Sequence, residues 1–470
     1  MSIGPDLMNY SVFQGNREHA LTFIKHLGGV AIFRSFPPVS RPGTDFESPL
    51  RQESNFYYLT GCEDEDAYFV WDIVDNVYHV FFTIPPEDAK TWMKVEDLPE
   101  KKKFGITNFH DISELKPIIQ TILAKKHHPI HILDFQCEKQ VREECGIPQD
   151  VPISNADLSY FMGEARVIKT PAEIELMKVA SAENATCFIE TIKRAKVGMT
   201  ETDLQAYWQY FAYKHGTRGF HYAFYPIFSF DKNASFLHHY AEDNQPSKED
   251  TMCLLDAGTS YRLYSADVTR TFPLSGKFTD RQKRIYNYVL EAQESAIKMV
   301  KPEVNYEDLH WQAMRVIGNG LIKEGIIVNV KDVDEAIEKD LVSVFFSHGI
   351  GHHLGLDTHD VGGYPRGVER IQKPGFARLR TRRVLKEGMI VTVEPGCYFN
   401  ELLIETALAD PVKKNHLNAE VCRSFYDFGG VRIEDDIVVT KDGFYDLTNV
   451  PKSVEDVEAL IASGKDLPRI

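Results

Sequence analysis

A chain of 470 residues is too long for one ordinary core and is expected to form two or three domains. Hydrophobic residues make up 43% and charged residues 26%, the profile of a soluble globular protein and not of a disordered one. Asp and Glu outnumber Lys and Arg by 69 to 53, a net charge of -16 and the opposite of what a duplex-binding protein carries, so nucleic acid is not an expected partner.

The first 150 residues alternate short β-like runs with helical ones. Val30–Phe33, Tyr68–Trp71 and Val77–Thr83 read as strands, because β-branched and aromatic residues cluster there between turn formers. Glu18–Leu27 and Ser113–Lys125 read as helices, and Phe36–Asp45 as a loop. This is an α/β domain without a catalytic constellation, and His127, His128 and His131 read as surface or structural residues. A boundary falls near Pro152–Arg166, which divides the chain into residues 1–160 and 161–470.

A helix start follows: Thr170 as N-cap, Pro171 at the first helical position and Glu173 completing a capping box. Ile174, Met177, Ser181, Ala185, Phe188 and Ile192 form an amphipathic stripe, Gly198 ends it, and Thr200 to Asp203 opens a second helix bearing Leu204, Tyr207, Trp208 and Phe211. The arrangement recurs. Thr279 precedes a helical run with Ile285, Tyr288, Val289, Ala292 and Ala296, and another helix begins at Tyr306. The segments starting at Lys196 and Lys301 align 105 residues apart, which suggests a duplicated half-domain.

No apolar run approaches the roughly 18 residues that span a bilayer, and Met1 to Gln14 lacks a basic patch followed by an apolar segment, so neither a membrane partner nor a secretory signal is expected. Seven scattered cysteines, with no Cys-x-x-Cys pair, read as reduced thiols in a cytoplasmic protein.

The carboxylates fall after each helix pair. Asp256 and Asp267 read as neighbours across a hairpin turning around Gly258–Tyr261, where facing carboxylates repel unless a cation lies between them. Two separate solvated aspartates would also fit that segment alone. His348-Gly-Ile-Gly-His352 is a glycine-rich turn that presents imidazole, a common metal ligand. Glu394 ends an apolar strand, and alternation puts Arg432 and Glu434 on one face of another. Four strand-borne acids among apolar residues need compensation. A salt-bridge network including Arg432 could supply it, but would leave the His-Gly-x-Gly-His turn unexplained. Four carboxylates and an imidazole suit a divalent pair such as Mn²⁺, able to hold a bridging hydroxide as nucleophile.

Asp256, Asp267, His348-Gly-Ile-Gly-His352, Thr392-Val-Glu394-Pro-Gly and Gly430-Val-Arg-Ile-Glu434 together resemble the five-ligand signature of the pita-bread metallopeptidases, which include methionine aminopeptidase, aminopeptidase P and Xaa-Pro dipeptidase. Arg51 to Gly61 resembles the N-terminal-domain signature shared by prolidase and aminopeptidase P, and with Asp357 to Pro365, Leu379-Arg380-Thr381 and the insert between Tyr398 and Gly429 the chain is most similar to the eukaryotic prolidase type. The resemblance implies an α/β N-terminal domain, with roles in dimerisation and at the substrate site. It implies an α+β pita-bread (creatinase/aminopeptidase) catalytic domain after it, with pseudo-two-fold duplicated halves. The implied activity is metal-dependent hydrolysis of the bond preceding proline in Xaa-Pro dipeptides, with aminopeptidase P activity on longer peptides as the alternative. Asp256, Asp267, His352, Glu394 and Glu434 would hold two divalent ions, with Asp267 and Glu434 bridging and Glu394 also shuttling the proton. His359 and His238 would serve the reacting carbonyl and substrate, with His239 the neighbouring alternative to His238. Arg380 would pair with the proline carboxylate unless it is a plain surface arginine of its basic loop. His348 and Arg432 would act on the substrate side, His348 from behind the ligands. His353 reads as structural. A homodimer joined through the N-terminal domains is implied as well. A relative that kept only binding would have lost ligands; all five are in place.

Overall fold

The computed structural model describes residues 11–92, 105–215, 222–241 and 245–467. Residues 1–10 of the stretch read for a secretory signal lie outside them. The chain divides into two compact units, Met1–Glu173 and Ile174–Ile470.

The first unit is a six-stranded sheet in the order β4-β3-β2-β1-β5-β6, with β1 Val30–Arg34, β2 Tyr68–Asp72, β3 Val77–Phe82, β4 Phe109–Asp111, β5 Ile130–Ile132 and β6 Ile153–Ser154. The expected strands are present to within a residue at their ends, because each carries the β-branched and aromatic side chains that a buried pleat accepts. Val30, Ile32, Val70 and Phe81 pack with Ile119, Ile122 and Val141 into one core. Helix Leu158–Val167 belongs to this unit and packs on helix Ser11–Ile24.

The second unit repeats a helix pair followed by strands. Helix Pro171–Arg194 starts at a capping box, with Thr170 N–H on Glu173 Oε2 at 2.8 Å and Glu173 N–H on Thr170 Oγ1 at 3.3 Å. Helix Glu201–His215 follows, then β7 Ile227–Phe230, β8 Met252–Ala257, the short β9 Ser260–Tyr261 and β10 Tyr264–Ser265, and β11 Val268–Pro273. In the second half, helix Asp280–Ile297 is capped reciprocally by Thr279 and Gln282 and packs on helix Tyr306–Lys323. Tyr286 is fully buried there, whereas Tyr288 lies half-buried. Strands β12 Ile390–Val393, β13 Gly396–Tyr398, β14 Gly430–Arg432, β15 Asp435–Val439 and β16 Phe444–Asp446 complete it.

β8 pairs antiparallel with both β7 and β11, β12 with β15, and β13 with β14. The halves join where Glu434 N–H donates to Thr269 O at 3.1 Å and Arg432 N–H to Thr271 Oγ1 at 3.2 Å. One local expectation is corrected. The chain reverses at Arg262–Leu263, both with positive φ, and not around Gly258–Tyr261. Gly258 serves close packing instead: a Cβ there would lie 1.9 Å from the Ala266 carbonyl oxygen.

Candidate metal centre

The site forms where the strand ends of both halves converge. Asp256 lies near the end of β8 and Asp267 just before β11, while Glu394 follows β12 and Glu434 sits between β14 and β15. His352 comes from the glycine turn, held by its own N–H on Thr392 Oγ1 at 3.1 Å and by Thr392 N–H on its carbonyl at 2.9 Å. Gly351 makes this approach possible at φ +153°, since a Cβ would lie 2.4 Å from both the Thr392 carbonyl oxygen and the Tyr306 hydroxyl. Asp256, Asp267, His352, Glu394 and Glu434 all line one cavity of about 500 Å³, together with His238, His348, His359, Arg380 and Arg432. Every residue expected at the site from the sequence is therefore in one place.

Ligand atoms of Asp267, His352 and Glu434 lie within 4.8 Å of one another. His352 Nδ1 faces the His353 carbonyl at 2.9 Å and donates to it, which leaves Nε2 as a lone pair. That lone pair faces carboxylate oxygens of Asp267 at 3.3 Å and Glu394 at 3.6 Å. Acceptors that face each other in a dry site need a proton or a cation between them. Burial also lowers the affinity of His352 for a proton. Burial raises Asp267 and Glu434 well above the usual carboxylate range, with repulsion from Asp256 adding to it at Asp267 and from Asp267 at Glu434. Burial pushes Glu394 up to about 7, against the opposing pull of His352 and Arg432. Asp256 Oδ1 is buried and, among the described residues, has no hydrogen-bond partner. These donors fit divalent cations: hard oxygens and one oriented imidazole, short of positive charge.

A second acid–imidazole group, Asp72, Asp75 and His127, lies in the first unit. There Lys125 Nζ already sits 2.6 Å from Asp75 and 3.4 Å from Asp72, so the charge is compensated by an ion pair.

Around these five side chains, Asp256, Asp267, His352, Glu394 and Glu434, runs a supporting chain. Arg432 donates to Asp256 Oδ2 at 2.6 Å, to Thr269 Oγ1 at 3.1 Å and to the Tyr398 hydroxyl at 2.9 Å. Thr269 Oγ1 donates to Glu434 Oε2 at 2.6 Å, and Asp267 N–H to Asp436 Oδ2 at 3.2 Å. His348 Nδ1 donates to the Gly349 carbonyl at 2.7 Å, so its Nε2 accepts from the Tyr398 hydroxyl at 2.9 Å. Arg432 and His348, expected on the substrate side, thus have their guanidinium and ring contacts with Asp256, Thr269 and Tyr398, around the acid cluster. The salt-bridge and metal readings of Arg432 are not exclusive: it neutralises one acid while the remaining acids stay uncompensated.

His359 stands edge-on to His352 with ring centroids 4.5 Å apart, and burial pushes it down to about 3, so it is neutral. His238 is exposed to the cavity, whereas His239 Nε2 lies 2.8 Å from the buried Glu201 carboxylate. Sequence reasoning passed over Thr269, Tyr398 and Asp436. Each lies within four residues of a predicted site residue: Thr269 two past Asp267, Tyr398 four past Glu394 and Asp436 two past Glu434.

Residues 175–441 match the model of metallopeptidase family M24, and residues 13–131 that of the aminopeptidase P N-terminal domain. The chain is 34% identical to the Xaa-Pro dipeptidase of Homo sapiens over 443 residues, 93% of this chain and 89% of that one. It is 34% identical to a probable Xaa-Pro aminopeptidase of Coccidioides posadasii, over 90% of each chain. Among solved structures it resembles the aminopeptidase PepP of Pseudomonas aeruginosa, with a TM-score of 0.82 and 28% identity over 97% of this chain and 99% of that one. A variant of Escherichia coli aminopeptidase P matches with the same score, identity and coverage.

Proposed function

The chain belongs to metallopeptidase family M24, and from that premise we propose that it hydrolyses the peptide bond preceding proline in Xaa-Pro dipeptides. The observation that carries the reading is the convergence of Asp256, Asp267, His352, Glu394 and Glu434 with His238, His359 and Arg380 on one cavity. The five acid and imidazole side chains would hold two divalent ions, and their hard-oxygen and imidazole donors favour Mn²⁺. Bound there, the ions would supply an activated water and polarise the scissile carbonyl.

The protein's own residues do the rest. The bond before proline is a tertiary amide, so its nitrogen carries no proton and must receive one as it leaves. Glu394 takes the proton of the attacking water on a carboxylate oxygen and returns it to that nitrogen. Its carboxylate lines the cavity, where it can reach both the attacking water and the leaving nitrogen. His359, held neutral by burial, and His238 hydrogen-bond the reacting carbonyl and the neighbouring substrate backbone. Arg432, Thr269 and Tyr398 hold Asp256 and Glu434 in place, and His348 braces them through Tyr398.

Arg380 would clamp the proline carboxylate, a planar guanidinium–carboxylate match. Among the described residues it has no ion-pair partner, which leaves it available. The test is to compare Ala-Pro with Ala-Pro amide. The intact enzyme is expected to prefer the acid by KM, and Arg380→Ala to abolish that preference. An unchanged preference in the variant would remove Arg380 from the role.

A second reading is release of the first residue from longer Xaa-Pro peptides, favoured by the likeness to aminopeptidase P structures. Under either reading the unit ending at Glu173 serves as the N-terminal domain and the unit from Ile174 as the catalytic one, a later boundary than the 160/161 division because helix Leu158–Val167 packs on helix Ser11–Ile24. We take the protein to act in the cytoplasm as a homodimer paired through the N-terminal domain. The seven cysteines, six of them buried, are all free thiols, which suits a reducing compartment. Sedimentation of the intact chain would test the dimer.

A further inference from the structure

The loop that carries Arg380 holds a second guanidinium with no part in the proposed chemistry. Arg378, Arg380, Arg382 and Arg383 fall within six residues, but their surroundings differ. Arg382 is ion-paired with Glu307 at 2.5 Å. Arg378 and Arg380 are exposed, line the cavity, and make no hydrogen bond or ion pair with any described residue.

Leu379 between them is fully buried and packs against Gly349 of the histidine turn. Its carbonyl accepts from the Tyr364 hydroxyl at 2.7 Å and from Arg370 Nη1 at 2.5 Å, and Arg370 stacks on the Tyr364 ring at 4.6 Å. The loop is therefore pinned at Leu379, and the residues on either side are left to face the cavity. Residues two apart along a chain span at most about 7 Å, comparable to the separation of two charges on a dipeptide.

The chemistry of the substrate narrows what the second cation can meet. An Xaa-Pro dipeptide carries one obligatory carboxylate, on proline. The only other place it can carry negative charge is the Xaa side chain. An acidic peptide is repelled by a protein of net charge -16, so discrimination in its favour needs a local cation.

Resting on the reading that Arg380 holds the proline carboxylate, we propose that Arg378 forms a second carboxylate subsite, and that the enzyme favours dipeptides with an acidic residue before proline, Asp-Pro and Glu-Pro.

The experiment compares kcat/KM for Glu-Pro and the nearly isosteric Gln-Pro, in metal-loaded wild-type protein and in Arg378→Gln. Glu-Pro is expected to be favoured about fivefold at low salt, the size of a good exposed ion pair. The preference should lie in KM, shrink with added salt, and fall to about one in Arg378→Gln. Arg378→Lys should keep part of it. A wild-type ratio of one or less, or a ratio unchanged in Arg378→Gln, overturns the subsite. Faster cleavage of Ala-Pro-Glu than of Glu-Pro that depends on Arg378 also overturns it, by putting the second anion beyond proline. If wild-type protein leaves Ala-Pro uncut, the dipeptidase reading itself fails, and that outcome is distinct from the others.

Discussion

Replacing Arg432 by Met should destabilise the metal-stripped protein more than the metal-loaded one. Arg432 is buried, and its guanidinium donates to Asp256, Thr269 and Tyr398. Met keeps much of the apolar stem but removes the charge and all three donors. In the stripped protein this leaves Asp256 buried without its cation, a loss on the order of 3–5 kcal/mol. In the loaded protein the bound cations supply the missing countercharge. What is lost then is the pair of hydrogen bonds to Thr269 and Tyr398, about 1 kcal/mol each, or about 2 kcal/mol in all. The assay is urea unfolding followed by circular dichroism, on wild type and Arg432→Met, each with chelator and with saturating Mn²⁺. The two hydrogen bonds are lost in both states, so the expected outcome is a loss larger under chelator by about 3–5 kcal/mol. Equal losses in both states would refute the idea that Asp256 faces a metal as well as Arg432.

Metal binding should be coupled to proton release. Burial holds Glu394 at about 7, above the ordinary value of 4.5, and raises Asp267 and Glu434 in the same direction. For Glu394 in the metal-free protein, the folded state holds more protons than the unfolded between those two values. Its contribution is therefore most favourable below 4.5 and is lost as pH rises through 7. Cations need the ionised carboxylates, so affinity measured calorimetrically should tighten from pH 5.5 to 7.5, and a flat profile would contradict this. Gly351→Ala should cost about 3 kcal/mol or more and lower metal content, because its Cβ would overlap Thr392 and Tyr306; a wild-type melting curve would count against it. His238→Ala should lower kcat about 10²-fold through lost transition-state contacts. His239→Ala should leave kcat within about twofold and destabilise by about 2 kcal/mol, since it strips a contact from buried Glu201. The reverse pattern would exchange the two histidines.

What was legible in the sequence was mostly local. The Thr170–Glu173 and Thr279–Gln282 caps join residues three apart, so the letters alone mark both helix starts. The motifs that supply the cavity's acids and imidazole were legible because carboxylates and imidazole stand at strand ends and a glycine turn, where their burial is costly. The reversal at Arg262–Leu263 was not legible. Two non-glycine residues take positive φ there, against their usual preference, while Gly258 is reserved for contact with Ala266. The supporting chain was equally hidden. Arg432 meets Asp256 across 176 positions, Tyr398 meets Arg432 because β13 and β14 pair, and it meets His348 because its own N–H donates to the Phe345 carbonyl. Likewise nothing in the arginine-rich loop 378–383 separates Arg382, which is paired with Glu307, from Arg378 and Arg380, which face the cavity.

The most direct test of the account is hydrolysis of Ala-Pro and Ala-Pro-Ala by chelator-stripped protein before and after Mn²⁺ is restored. The account predicts no cleavage without metal, and cleavage of the dipeptide with little of the tripeptide once metal returns. Preferential cleavage of the tripeptide would move the activity to aminopeptidase P. Metal binding without cleavage of either peptide would contradict the substrate class, and failure to bind metal would contradict the site itself.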